Sequence, residues 1–150
     1  MQRAYRWIAQ RAHSENDIRR KLARYAGEQE VEEVVNRLKE LKLLDDLDFS
    51  ASIASYRLKE RHQGIRRITE ELEAHAVEES VGREAIRQVL QETPETEAAE
   101  KAVQNYVRRK SQPENKREVL RLIQYLYRMG FSEEAIRSAL KRHPIDFDLY

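Results

Sequence analysis

The stretch HQGIRRITEELEAHA, residues 62–76, decides the fold, because its pattern occurs three times in the chain. Ile68 and Leu72 stand four residues apart, the spacing that sets two side chains one above the other on a helix face. Laid over it, HSENDIRRKLARYA (13–26) places Ile18 on Ile68, Leu22 on Leu72 and Ala26 on Ala76. KREVLRLIQYLYRMG (116–130) then places Leu122, Leu126 and Gly130 on the same three positions. Downstream, Val34/Leu38, Ile86/Leu90 and Ile136/Leu140 repeat the four-residue step. Upstream of each copy a further helix is predicted, over 2–12, about 47–61 and about 95–110. The last of these rests on the one-sided stripe Ala99, Ala102, Val103, Tyr106 and Val107. The expectation is an all-α fold of three tandem three-helix repeats, divided 1–45, 46–92 and 93–150.

Composition agrees with helices throughout. Leu, Ala, Glu, Arg and Lys dominate, all good helix formers. Only four glycines and three prolines interrupt 150 residues. With 40% hydrophobic against 37% charged residues, the core is lean and the charged surface large. The chain has no cysteine, which excludes disulfides and thiolate chemistry. No apolar run approaches the ~18 residues of a membrane span, and MQRAYRWIAQ lacks the apolar core of a secretory signal. A soluble, cytoplasmic protein is expected.

The helix limits carry their own signals. Ser14 with Asp17 three residues later reads as an N-cap with an acidic N3 position. Thr93-Pro94 reads as an N-cap followed by proline at N1. Gly64 can cap the helix of Ile65, Ile68 and Leu72. Gly130 stops one helix and Ser132 caps the next. The acidic run in LKLLDDLDF (41–49) falls between Leu44, which ends one helix, and Phe49, which begins another. Asp45, Asp46 and Asp48 therefore suit a helix start, where carboxylates accept orphan amides and meet the positive end of the helix dipole. No His, Asn or Glu cluster nearby would complete a metal site.

Net charge is only +1, yet it comes in blocks. Residues 1–24 carry +5, 25–56 carry −5, 57–67 carry +4, 68–100 carry −8 and 101–130 carry +6. The cations fall in the first two helices of each repeat: Arg19, Arg20, Lys21 and Arg24; Arg57, Lys59, Arg61, Arg66 and Arg67; Arg108, Arg109, Lys110, Lys116, Arg117, Arg121 and Arg128. Stacked in register, they would form one stripe for phosphates or an acidic protein surface. Spacing assigns Tyr106 and Tyr125 to the core and leaves Tyr56 and Tyr127 as surface candidates. Glycine-rich phosphate loops, nucleophile elbows and HExxH are all missing, so no enzyme and no cofactor is expected. His13, His62, His75 and His143 lack ligand spacing for zinc. Phe147, Leu149 and Tyr150 end the chain as a short acidic-aromatic tail that can dock, fray or act as a contact peptide.

These residues resemble the RecX family, modulators of the RecA recombinase. Its H-S-x-x-[ED]-[LI]-x-x-K-L element matches His13, Ser14, Asp17, Ile18, Lys21 and Leu22. Its L-L-D-D-x-x-F element matches Leu43, Leu44, Asp45, Asp46 and Phe49. Its R-L…G-x-x-x-I-x-x-E-L element matches Arg57, Leu58, Gly64, Ile68, Glu71 and Leu72. Residues 115–136 are similar to the family's third repeat in a more general way. Two departures concern turns: Lys42 replaces a glycine common before L-L-D-D, and His75-Ala76 stands where a glycine is usual.

The resemblance implies a curved, elongated array that lodges in the groove of the RecA–single-stranded-DNA filament. There it lowers ATPase, strand-exchange and co-protease activity, damping recombination and the SOS response. The implied partners are the RecA nucleoprotein filament and single- and double-stranded DNA, met by a monomer with no membrane role. Three modules side by side would span roughly 60–75 Å at about 1.5 Å per residue and 8–10 Å between packed helices. Two other readings stay open. One is a helix-turn-helix protein that binds duplex DNA through a single module, against which stand third helices that are acidic or nearly neutral. The other is a scaffold whose cations bind only acidic proteins.

Overall fold

The computed structural model describes residues 1–143 and 145, and the tail residues Phe147, Leu149 and Tyr150 lie outside that range. Among the described residues there are nine helices and no strand. They are α1 (Gln2–Gln10), α2 (Glu15–Leu22), α3 (Glu28–Glu40), α4 (Asp46–Lys59), α5 (Ile65–Ala74), α6 (Glu79–Glu92), α7 (Glu95–Lys110), α8 (Lys116–Arg128) and α9 (Glu133–Arg142). Among the described residues no helix is long and apolar enough to cross a membrane. The helices form three groups of three, and the first and third helices pack along each other in α4–α6 and α7–α9.

The four-residue pairs supply the core. Ile18, Ile68, Leu122 and Leu126 are fully buried, and Leu22 and Leu72 nearly so. Burying one such side chain contributes about 1.5–3 kcal/mol. The core is in two parts. Ala4, Ile18, Leu22, Val31, Val35, Leu38 and Leu44 form a small cluster within α1–α3 and the turn after them. A larger cluster runs without a break through α4–α9, joining Leu58 and Ile68 to Val103, Leu122 and Ile136. The accessible surface, 9666 Å² for 17.8 kDa, exceeds the roughly 8,000 Å² that a compact protein of this mass exposes. That excess is what an elongated array requires.

Helix starts follow their caps with one exception. Ser14 and Asp17 form a reciprocal capping box on α2. Asp45 accepts from the amides of Leu47 and Asp48 at the start of α4. Gly64 and Ser132 precede α5 and α9, and the Ser132 hydroxyl accepts from Ala135 N. At α7 the cap is Pro94 and Glu95 is the first helical residue, while Thr93 ends α6. The expected Thr93 cap is therefore displaced by one residue. Proline at the cap loses no hydrogen bond, since its missing N–H is one the helix cannot use.

The repeats are tied end to end by one arrangement used twice. The start of α2 meets the end of α5: Ser14 Oγ donates to His75 O (2.7 Å), Asn16 Nδ2 to Ala76 O (2.7 Å) and Arg20 to Ala74 O (3.1 Å). The start of α5 meets the end of α8 in the same way: Gly64 N donates to Met129 O (2.8 Å) and Arg66 N to Gly130 O (3.0 Å). Each contact brings a positive helix end onto a negative one, satisfying the orphan groups of both. At the second joint the backbones touch. A Cβ on Gly64 would lie 2.5 Å from the Gly130 carbonyl and from Phe131 Cα, so only glycine fits.

A second device repeats in the same register. Asp46, the first residue of α4, reaches back to accept from Glu15 N at the start of α2 (2.9 Å). Glu95, the first residue of α7, reaches back to Ile65 N at the start of α5 (3.1 Å). Glu95 also accepts from Ser132 N (3.1 Å) and the Ser132 hydroxyl (2.7 Å), so one carboxylate fixes two helix starts. At the first boundary Asp45 caps its own helix, and at both boundaries the first helical residue, Asp46 or Glu95, fastens the preceding repeat.

Candidate functional site

The sixteen candidate cations divide into those the fold uses and those it leaves free. Arg19 pairs with Glu32 at 2.7 Å, and Arg57 with Glu71 at 2.5 Å. The Glu71 carboxylate holds the Arg57 guanidinium above its ordinary pKa. Lys21 Nζ lies 3.0 Å from His13 Nε2 and 5.1 Å from the centre of the Trp7 ring. Lys59 is 3.9 Å from Glu92. Three arginines fasten repeats: Arg20 on Ala74 O, Arg66 on Tyr127 O, and Arg67 on Arg128 O at 2.9 Å. Arg109 donates to Asn105 O and to the Tyr125 hydroxyl (3.2 Å).

The other eight are exposed and their side chains meet no hydrogen-bond or ion-pair partner within the described residues: Arg24, Arg61, Arg108, Lys110, Lys116, Arg117, Arg121 and Arg128. Six of these lie on α7, α8 or at their ends. Arg117, Arg121 and Arg128 share one face of α8, since residues four and seven apart return to the same side of a helix. The end of α7 suits Arg108 and Lys110, whose charge meets the negative end of its dipole.

Arg61 and Arg108 line one cleft of about 470 Å³, together with His62, Asn105, Arg109 and Tyr125. The cleft forms where the corner between α4 and α5 approaches α7 and α8. At that corner His62 is left-handed, with φ 50°, a conformation rare outside glycine. Glu60 is the single carboxylate of the lining. The arginines of the cleft came from the charge blocks, but His62, Asn105 and Tyr125 did not. Tyr125 packs partly against the core and Tyr106 (ring centres 5.0 Å apart), as its spacing suggested, while its hydroxyl receives Arg109. Its place between Arg121 and Arg128 on α8 was the signal available. Tyr56 and Tyr127 are exposed, as expected of surface residues. Among the described residues no three metal-ligating side chains come together.

Residues 1–38 match the family described as "RecX, first three-helix domain". The regulatory protein RecX of Halorhodospira halophila is 33% identical over 91% of this chain and 83% of its own length. That of Prosthecochloris aestuarii is 30% identical over 93% and 90%. A crystal structure of regulatory protein RecX superposes with a TM-score of 0.81, covering 94% of this chain and 71% of that one at 26% identity. With helix order, repeats and sequence agreeing over almost the full length, the chain belongs to the RecX family of regulatory proteins.

Proposed function

We propose that this chain is a non-enzymatic modulator of RecA, an inhibitor that lies in the groove of the RecA–single-stranded-DNA filament and lowers its ATPase, strand-exchange and co-protease activity. Family membership carries the reading, and two observations support it. The chain exposes more surface than a compact protein of its mass, as an elongated array that can bridge neighbouring protomers would. Its unpaired cations collect on α7 and α8, where they can meet acidic protein or phosphates. The division at 45/46 and 92/93 belongs to the same proposal, each repeat being one unit laid along the groove.

The test is single-stranded-DNA-dependent ATP hydrolysis by the cognate RecA, with the full chain titrated in. Suppression well below one chain per RecA protomer is expected. Unchanged hydrolysis, with duplex DNA bound in a parallel assay, would overturn the proposal in favour of the helix-turn-helix reading.

A further inference from the structure

The two joints of the array follow one plan but are closed by different groups. Between the second and third repeats, Gly64 N and Arg66 N donate directly to the carbonyls of Met129 and Gly130. Glu95 ties the starts of α5 and α9 together, and one core runs through the joint, with Leu58, Ile68, Val103 and Leu122 in the same cluster. Turning one repeat against the other there would open close-packed apolar surface. Between the first and second repeats neither tie exists. Among the described residues no backbone-to-backbone hydrogen bond crosses that joint. The cluster of Ile18, Val35 and Leu38 shares no buried residue with that of α4–α9. The repeat itself gives the reason, because Ser14 stands on Gly64 and Ala76 on Gly130. The glycine pair that lets the backbones touch at the second joint is replaced at the first by two residues with side chains.

We propose that the joint between α2 and α5 is a hinge: α1–α3 turn as one arm on the end of α5, while α4–α9 keep their shape as a second body. The pivot is the row of carbonyls at Ala74, His75 and Ala76, which accept from Arg20, the Ser14 hydroxyl and Asn16. Beside it His75 Nδ1 faces Asp17 at 2.8 Å, and Asp46 accepts from Glu15 N. Each of these bonds runs through a side chain, and water replaces such bonds when they part, so opening them costs far less than opening a core. Relative motion is the ordinary behaviour of units joined through a polar interface. The chain crosses between the two bodies in the turn 41–45, where Lys42 is left-handed with φ 58°. A short turn of this kind is where a hinge takes up its change of backbone angle. The curvature of the array is thereby set at one place. The inference does not rest on the RecA reading, because it concerns the free chain.

The experiment is double electron–electron resonance on the full chain, in which the absence of cysteine lets spin labels be placed at will. Three pairs of exposed helix positions are labelled. Asn36→Cys/Gln91→Cys spans the first joint, Gln91→Cys/Glu134→Cys spans the second, and Gln10→Cys/Asn36→Cys lies within the arm. The distance distribution across the first joint is expected to be about twice as wide as the other two, or wider. Asn16→Ala removes one pivot bond and keeps the Ser14–Asp17 capping box. It is expected to widen the first-joint distribution further and to leave the other two unchanged. A first-joint distribution as narrow as the other two would overturn the hinge. So would equal breadth in all three pairs, which would make the whole array pliant, or a broad Gln10/Asn36 pair, which would make the arm itself loose. An Asn16→Ala chain identical to the parent would remove the pivot from the α5 end. A narrow first joint in a chain that suppresses RecA hydrolysis would remove the hinge and leave the proposed function standing. A broad first joint in a chain without effect on RecA would do the reverse.

Discussion

Lys42 and Ala76 occupy left-handed backbone, with φ of 58° and 52°. Gly130, which stands on Ala76 in the repeat, has φ 91°. An L-residue there costs about 1–2 kcal/mol, part of which glycine gives back through its freer unfolded chain. Ala76→Gly is therefore expected to stabilise by about 0.5–1 kcal/mol, read as a rise in thermal midpoint; a fall would show that the turn needs its methyl group. The two departures from the family pattern were thus readable as backbone questions, because only glycine adopts such angles freely. His13 shows what was not readable. It is buried, its Nδ1 faces Arg11 O at 2.9 Å and its Nε2 faces Lys21 Nζ, an arrangement for a neutral ring. Burial foremost, with Lys21 and Arg11 adding repulsion, pushes its pKa below the usual histidine value. The unfolded chain then takes up the proton more readily than the folded one. The stabilisation is complete above about pH 6.5, the unfolded value, and is lost as pH falls through the folded one. The difference in thermal midpoint between the parent and His13→Asn should narrow from pH 7.5 to pH 5; a constant difference would remove His13 from the pH response.

Each repeat boundary depends on one carboxylate at the first position of a helix. Asp46 serves α2, and Glu95 serves α5 and α9 together. Burial, with the charge of Glu15 close by, raises the Asp46 pKa, while the Glu15 amide opposes the shift. Glu95 is itself buried and receives three hydrogen bonds. Removing it leaves buried donors unsatisfied, each costing about 1–3 kcal/mol. Glu95→Ala is expected to cost about 3 kcal/mol in chemical denaturation, and Glu95→Gln less because one carbonyl oxygen remains. Equal losses for the two would mean that charge, and not hydrogen bonding, holds the joint. The local half of this design was legible, since Asp45 before Phe49 announces a cap. The long-range half was not: nothing adjacent to Asp46 in sequence points to Glu15, about 30 residues away. Pro94 misled by one residue because Thr-Pro fits either a cap with its N1 proline or a helix end with its proline cap.

Across the whole molecule, periodicity alone gave the three groups of helices, because identical helix pairs must bury identical faces. It did not show that α4–α9 share one core while α1–α3 keep their own, since contacts between repeats leave no period in the sequence. The charge blocks pointed to a continuous cationic stripe, and the structure divides that stripe by use. Arg20, Arg66 and Arg67 close the joints between repeats, so reversing them would disturb the array before any partner was tested. The side chains of Arg117, Arg121 and Arg128 make no hydrogen bond or ion pair within the described residues. In the proposed function the free cations of α8 are the ones that meet the filament. The direct measurement is the affinity of the triple variant Arg117→Gln/Arg121→Gln/Arg128→Gln for RecA assembled on single-stranded DNA, with thermal midpoints recorded alongside. The expected result is binding at least tenfold weaker at an unchanged midpoint. Undiminished binding at low salt would contradict it.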